Sequence, residues 1–408
     1  MQAMGFESFE RILGGVCAPE GFLASGVSCG IKGDGLLDLA LVYTEKPAAA
    51  AGVYTTNSMK AAPVVFSSER LSRGTARAVV VNSGIANSMT GRRGARDAEV
   101  MAAAVESALD IPEGQALVAS TGRIGEYLPM EKIEKGIQAA VQDLNPGGNT
   151  DAVKAIMTTD TYPKELAAEM EIGGRVVRLG AMAKGSGMIH PNMATMIAVI
   201  TTDIDIDVET MRNWLGRAVE WSFNRISVDG DMSTNDTVFM MANGAAFPGG
   251  YEMSGEEADL FFETLCWLTG SLAVALVKDG EGATKLVRVV VNGAIDDAEA
   301  VLVARAIGNS NLVKCAFHGG LPAWGRIAAA VGSSGVPVST ENFSVVIGEC
   351  EVFSHGVILE FDAAEVESAV NRDEVEITVD IGRGGGSAYF MTTDLSPEYV
   401  EFNAQDKS

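Results

Sequence analysis

Histidine is scarce: His190, His318 and His355 are the only three in 408 residues. None has the company a hydrolytic triad requires, and neither a GxSxG elbow, an HExxH pair nor a Walker phosphate loop occurs, so the usual serine-hydrolase, zinc-protease and NTPase chemistries have no footing. The glycine run Gly382 to Gly386 lacks the strand, turn and helix order of a dinucleotide fingerprint and reads as a turn. Cysteine is also sparse. Cys17, Cys29, Cys266, Cys315 and Cys350 form no CxxC pair, which suits free or buried thiols in a reducing compartment and excludes a cysteine metal site. Positive charge is short as well, with 30 Lys and Arg against 54 Asp and Glu and a formal charge of −24. Such a chain is repelled by nucleic-acid backbones and anionic membranes. The start, Met1 to Gly15, lacks the basic head and long apolar middle of a signal peptide, so export is not indicated and a cytoplasmic protein is expected. The longest apolar run, Leu265 to Val277, is shorter than the roughly 20 residues of a bilayer span and predicts a buried helix.

What is present is a layered globular pattern. Single cores stop growing near about 250 to 300 residues, so this length implies two domains or one large layered body. Short β-branched runs at Val79 to Val81, Val176 to Leu179, Met196 to Ile200, Leu286 to Val291, Val345 to Ile347 and Val375 to Val379 predict strands. Between them, Asp97 to Leu109 sets Val100, Met101, Ala104, Val105 and Ala108 on one helical face. Val208 to Val219 does the same with Met211, Leu215 and Val219, and Asp207 is its expected N-cap. The mixture predicts an α/β (α+β layered) fold with mixed sheets sandwiched by helices. Glycines gather at loops, notably Gly84, Gly122, Gly185, Gly187, Gly280 and Gly282, where backbone must turn sharply or approach a ligand closely.

One segment stands apart. Lys184-Gly-Ser-Gly-Met-Ile-His-Pro-Asn-Met-Ala-Thr195 is a polar, glycine-containing loop that runs directly into the apolar Met196 to Ile200. A threonine at such a junction, after the small Ala194, can carry its hydroxyl to the preceding carbonyl for an N-to-O acyl shift that breaks the chain. The freed α-amino group, with an unperturbed pKa of about 7.7 to 8.0, then serves as base for its own hydroxyl and no histidine is needed. From composition alone the same residues also describe an ordinary loop.

The stretch KGSGMIHPNMAT resembles the self-cleavage signature of the ornithine acetyltransferase family, also called glutamate N-acetyltransferases. The likeness runs through the chain in order. It includes GGVCAPEGF at Gly14 to Phe22, AGVYTTNSMKAAPV at Ala51 to Val64 and NSGIANSMTG at Asn82 to Gly91. STGRIGEYLP at Ser120 to Pro129 and MTTDTYPK at Met157 to Lys164 follow, then FNRISVDGDMSTNDT at Phe223 to Thr237 and KDGEGATK at Lys278 to Lys285.

The resemblance implies that Thr195 is the nucleophile and that the bond after Ala194 is cut, giving segments 1–194 and 195–408 that remain one unit. It implies that Thr121 and Gly122 form the oxyanion hole, and that Thr158, Lys184, Thr195, Glu281, Asn403 and Ser408 bind substrate. The implied reaction is ping-pong acetyl transfer from N-acetylornithine to glutamate, with acetyl-CoA as a further donor in bifunctional members. No metal or organic cofactor is implied, and the implied assembly is α2β2. Two other readings share the nucleophile: a paralogous N-acyl amino acid acyltransferase or hydrolase, and a self-processing aminopeptidase.

The chain departs from the family pattern in places. Leu321-Pro-Ala-Trp-Gly-Arg326 stands where Asp-Pro-Asn-Trp-Gly-Arg is usual, Met391-Thr-Thr-Asp-Leu395 replaces Trp-Gly-Cys-Asp-Leu, and Arg123 is a bulky cation beside the expected oxyanion hole. Leu321, Ala323 and Met391 are therefore where an altered pocket is expected.

Overall fold

A computed structural model describes residues 8–33, 35–190 and 196–405. It is built on two mixed sheets. The first has nine strands in the order Glu10–Ile12, Lys164–Ile172, Arg175–Lys184, Ile197–Thr202, Thr237–Ala242, Leu39–Tyr54, Thr75–Ile85 and Ala116–Arg123, with Phe22–Val27 also paired to Leu39–Tyr54. Ile197–Thr202 runs parallel to Thr237–Ala242 and Thr75–Ile85 runs parallel to Ala116–Arg123, while the remaining pairings are antiparallel. The second sheet has seven strands, and within it Leu286–Ala294 lies between Glu374–Asp380, parallel to it on one side, and Gly386–Thr393, antiparallel on the other.

Side-chain alternation explains why the first sheet is covered on both faces. In Thr75–Ile85, Val79 and Val81 pack with Ala152, Val153 and Ile156 of the helix Asn149–Ile156. Ala78 and Val80 face the opposite way, onto Met101 and Val105 of the helix Gly91–Leu109 and Ile133 and Ile137 of Met130–Gln142. Further along the sheet, Ala198 and Ile200 meet Met211 and Leu215 of Val208–Trp221 and Leu265 and Leu268 of Gly255–Lys278. The second sheet lays Val287, Val289 and Val291 against Val303 and Ile307 of Asp297–Gly308. A strand buried on both faces shows a continuous apolar run, which is the pattern that located these strands in the sequence.

The expected strands all form, and Asp207 caps Val208–Trp221 by accepting from the Thr210 N–H at 2.9 Å. The first expected helix begins earlier, at Gly91, and its buried face is turned toward Ala98 and Ala102, leaving Val100, Ala104 and Ala108 half-buried. The cause is polar. Glu106 is buried on this face and accepts from Arg70 and from the N–H groups of Gly114 and Ala116.

The apolar run Leu265 to Val277 belongs to a longer helix, Gly255–Lys278, opened by a capping box between Ser254 and Glu257. With 24 residues it is long and apolar enough to cross a membrane by length and composition, contrary to the expectation from the run alone. In this fold Phe261, Leu265, Leu268, Leu272 and Leu276 are fully buried in the core. All five cysteines are free, and burial pushes the Cys17 and Cys29 thiols up to about 12, where they are unreactive.

Candidate functional site

Lys184 ends the strand Arg175–Lys184 and lies in register with Ile197, two residues along the chain from Thr195. Its side chain is buried, and its ammonium donates to Thr158 Oγ1 at 2.8 Å and to Thr121 Oγ1 at 3.3 Å. Burial lowers its pKa, while the carboxylates of Asp160, Glu281 and Asp236 favour the charge. A buried ammonium whose partners among the described residues are two hydroxyls is a ready seat for a carboxylate.

Thr121 and Gly122 sit at the carboxyl end of Ala116–Arg123, in register with Ser83 and Gly84 of the parallel neighbour. Ligands of open α/β sheets collect at such strand ends. Gly122 has φ +122°, and a Cβ there would lie 2.3 Å from the Gly84 carbonyl carbon, so only glycine fits.

Glu281 follows the helix Gly255–Lys278 and is tied to the loop after Lys184, since its N–H donates to the Ser186 carbonyl at 2.9 Å. Its carboxylate accepts from Thr159 Oγ1 at 2.8 Å and from Asn403 Nδ2 at 3.1 Å. Any Cβ on Gly187 would lie 2.4 Å from that carboxylate, which explains the second glycine of the loop.

Beneath the site lies a buried ionic cluster. Asp160 accepts from Lys164 Nζ at 2.7 Å, from the Gly185 N–H at 2.7 Å and from the Thr158 N–H at 3.0 Å. Lys164 also donates to Asp279, which takes the Thr161 N–H. Burial opposes ionisation of Asp160, but Lys184, Lys164 and the Gly185 N–H outweigh it and hold the carboxyl at about 2. One carboxylate thus fixes the backbone on either side of the cavity.

The flanks of the expected cleavage loop are anchored too. Asp229 accepts from the N–H groups of Met188 and Ile189 at 2.6 and 2.9 Å. On the far side, the Met196 N–H donates to Asp236 at 3.1 Å and its carbonyl accepts from Thr237 N–H at 3.0 Å. Asp236 is fully buried, and burial raises its carboxyl well above the ordinary range.

Of the residues singled out in the sequence, Thr121, Gly122, Thr158, Lys184, Glu281 and Asn403 line one cavity of about 280 Å³. Ala194, Thr195 and Ser408 lie outside the described residues. Arg123 also lines the cavity, with its guanidinium held by Glu126 at 2.8 and 3.0 Å. Three larger surface grooves, of about 850, 550 and 500 Å³, contain none of these site residues. The chemistry gathers in the smaller space.

None of the departures at Leu321, Ala323 and Met391 lines this cavity. Leu321 is exposed, Ala323 precedes the helix Trp324–Gly332, and Met391 pairs with Arg288 and Ile226 in the second sheet. Sequence reasoning missed Lys32 and Thr159 as cavity residues, and Asp160, Lys164 and Asp279 as its support. All but Lys32 sit inside segments that carried the family resemblance.

A family model described as the ArgJ family matches residues 23–408. An arginine biosynthesis bifunctional protein from Synechococcus sp. is 45% identical, with 98% of each chain covered. Its counterpart from Geobacter sulfurreducens is 47% identical, covering 94% of this chain and 98% of its own. Among solved structures, an ornithine acetyltransferase from Mycobacterium tuberculosis complexed with ornithine is 44% identical; the match covers 45% of this chain and 98% of that one at a TM-score of 0.43.

Proposed function

The chain belongs to the ArgJ family, and on that premise we propose that it moves an acetyl group from N-acetylornithine to glutamate in arginine biosynthesis, through an acetyl ester on Thr195. The observation that carries this reading is the pairing of a buried cation, Lys184, with a carboxylate, Glu281, in the cavity that also holds Thr121 and Gly122. An α-carboxylate on Lys184 and a side-chain ammonium on Glu281 describe an ornithine-like amino acid. Its acetylated nitrogen is then directed toward the oxyanion donors.

Cleavage after Ala194 frees the Thr195 amine, which takes the proton of its own hydroxyl as the oxygen attacks the acetyl carbonyl. Thr121 Oγ1 and the Gly122 N–H stabilise the oxyanion, a contribution of about 3 kcal/mol per donor. Lys184 orients the Thr121 hydroxyl through its hydrogen bond. The C–N bond breaks, ornithine leaves with the proton, and the α-amine of glutamate attacks the ester to regenerate the Thr195 hydroxyl. Asn403 steadies Glu281, and Ser408 extends the same terminal segment. Acetyl-CoA is a second donor by the same acylation, no metal or organic cofactor takes part, segments 1–194 and 195–408 assemble as α2β2, and the setting is the cytoplasm.

Intact mass measurement tests this. Two chains are expected, with an adduct of about 42 Da on the Thr195 segment after N-acetylornithine, the mass of an acetyl group replacing hydrogen. Thr195→Ala should abolish both. If that variant still separates into the same two chains, Thr195 does not cut the chain.

A further inference from the structure

The proposed reaction sets a problem of charge. N-acetylornithine and glutamate share an α-carboxylate, but one side chain ends in an ammonium and the other in a carboxylate. Glu281 suits the first and repels the second. A cavity that serves both half-reactions therefore requires a further cation that the donor does not use.

Lys32 supplies one. It lines the same cavity as Thr121, Gly122, Lys184 and Glu281. The loop that carries it is rigidly built: buried Asp38 accepts from the N–H groups of Cys29, Ile31 and Lys32 at 2.7, 2.6 and 3.1 Å. The Lys32 stem lies over Gly84, where a Cβ would meet Lys32 Cγ at 3.0 Å, and Gly84 is the partner in register of Gly122. The lysine thus stands beside the oxyanion donors.

Its ammonium donates to the Met157 carbonyl at 2.6 Å, and among the described residues no carboxylate forms an ion pair with it. An ammonium has three donors, so two remain for a ligand. The other cations are committed. Arg123 is held by Glu126, and Lys184 sits deep against Thr121 and Thr158, where the shared α-carboxylate belongs.

We propose that Lys32 binds the side-chain carboxylate of the glutamate acceptor and so selects the second substrate of the ping-pong cycle, an inference that rests on the acetyl-transfer reading above. No bond is made or broken at Lys32. It opposes the donor's ammonium and attracts the acceptor's carboxylate, and so its removal acts on the two substrates in opposite directions.

The test compares full-length wild type with Lys32→Met and Lys32→Arg, using N-acetylornithine as donor and glutamate or glutamine as acceptor. Glutamine keeps the shape of glutamate and loses its charge. In Lys32→Met the ratio of kcat/KM for glutamate over glutamine should fall about 10- to 100-fold, while the KM for N-acetylornithine does not rise. Lys32→Arg should restore most of the ratio. A ratio within about threefold of wild type in Lys32→Met overturns the proposal, as does a parallel rise in KM for both substrates, which marks a structural role. Should Lys32→Met fail to accumulate, Lys32→Gln supplies the same ratio. If wild type forms no acetyl adduct with N-acetylornithine, the functional reading falls first and this inference with it.

Discussion

Replacing Asp160 by Asn removes one negative charge from a cluster in which Lys164 and Lys184 are balanced by Asp160 and Asp279. The Asp160 and Lys164 side chains are wholly buried, so no solvent offsets the loss. Breaking one partner of a buried pair leaves an uncompensated ion and costs about 3–5 kcal/mol. The asparagine can still accept the Thr158 or Gly185 N–H, which places the expected loss in the lower part of that range. Chemical denaturation of wild type, Asp160→Asn, Lys164→Met and the double variant measures it. The double variant restores charge balance, so its cost should be clearly less than the sum of the singles. A cost under about 1 kcal/mol for Asp160→Asn, or strict additivity, would refute the claim that charge balance holds this floor together. The pH dependence has a definite sign. Asp160 is held down to about 2 in the fold against 3.8 unperturbed, so its contribution is complete above 3.8 and is lost as pH falls toward 2. Activity should respond as well, because Asp160 is the strongest charge favouring the Lys184 ammonium. Without it the alkaline limb of kcat/KM for N-acetylornithine moves to lower pH.

Gly122→Ala should abolish acetyl transfer and lower the melting temperature, since the added methyl meets backbone at 2.3 Å in a positive-φ position; a normally active, stable variant would contradict this packing. Ala323 precedes its helix with φ +46° and offers no side-chain cap, so Ala323→Asn should raise stability by about 1 kcal/mol in thermal or urea melts, with no change in KM. Burial and then Lys184 bring the Lys32 ammonium down to about 8, against the pull of Asp38 and Asp160. The acceptor seat is thus charged below about pH 8 and neutral above it. Glu281, Arg123 and Lys184 share the cavity but are common to both acceptors, Lys184 facing the α-carboxylate that glutamate and glutamine share, so the wild-type glutamate-to-glutamine ratio should fall as pH rises through 8 and stay flat in Lys32→Arg.

The strands and the site were legible to different degrees for physical reasons. Runs such as Val79 to Val81 are visible because both faces of the first sheet are covered, and a helix cap such as Asp207 has a local signature. The face of Gly91–Leu109 was misjudged because Glu106, a charged residue, is buried by partners far along the chain. Of the site, Thr121, Gly122, Thr158, Lys184, Glu281 and Asn403 do meet, although up to 282 residues separate Thr121 from Asn403 (403 − 121), and only the family resemblance could assemble them. Lys32 carried no signal, since its meaning depends on Asp38 folding the loop back and on Gly84 leaving room for its stem. Conversely, Leu321, Ala323 and Met391 looked important as departures from a pattern, yet they fall outside the cavity. Departure from a family sequence reports a changed environment, and the fold decides whether that environment is the pocket or, as at Ala323, the start of a helix.

The fold also bears on how a chain could be cut in its middle and stay whole. Strand Arg175–Lys184 pairs with Ile197–Thr202 from Leu179↔Thr202 to Lys184↔Ile197, and Ile197–Thr202 is itself paired on its other side with Thr237–Ala242. The segments before and after the proposed cut are therefore adjacent strands in the interior of one sheet. Scission between them would remove a covalent link but no ladder hydrogen bond among the described residues. Met196 remains fixed by Asp236 and Thr237, and Met188 and Ile189 by Asp229, so neither flank depends on the peptide bond for its place. The loop entropy released on cutting has no strand contacts to oppose, and hydrolysis by water of the ester that the acyl shift forms can release the nucleophile without any rebuilding of the fold. Such an arrangement tolerates cleavage because its strand pairing is complete without that bond.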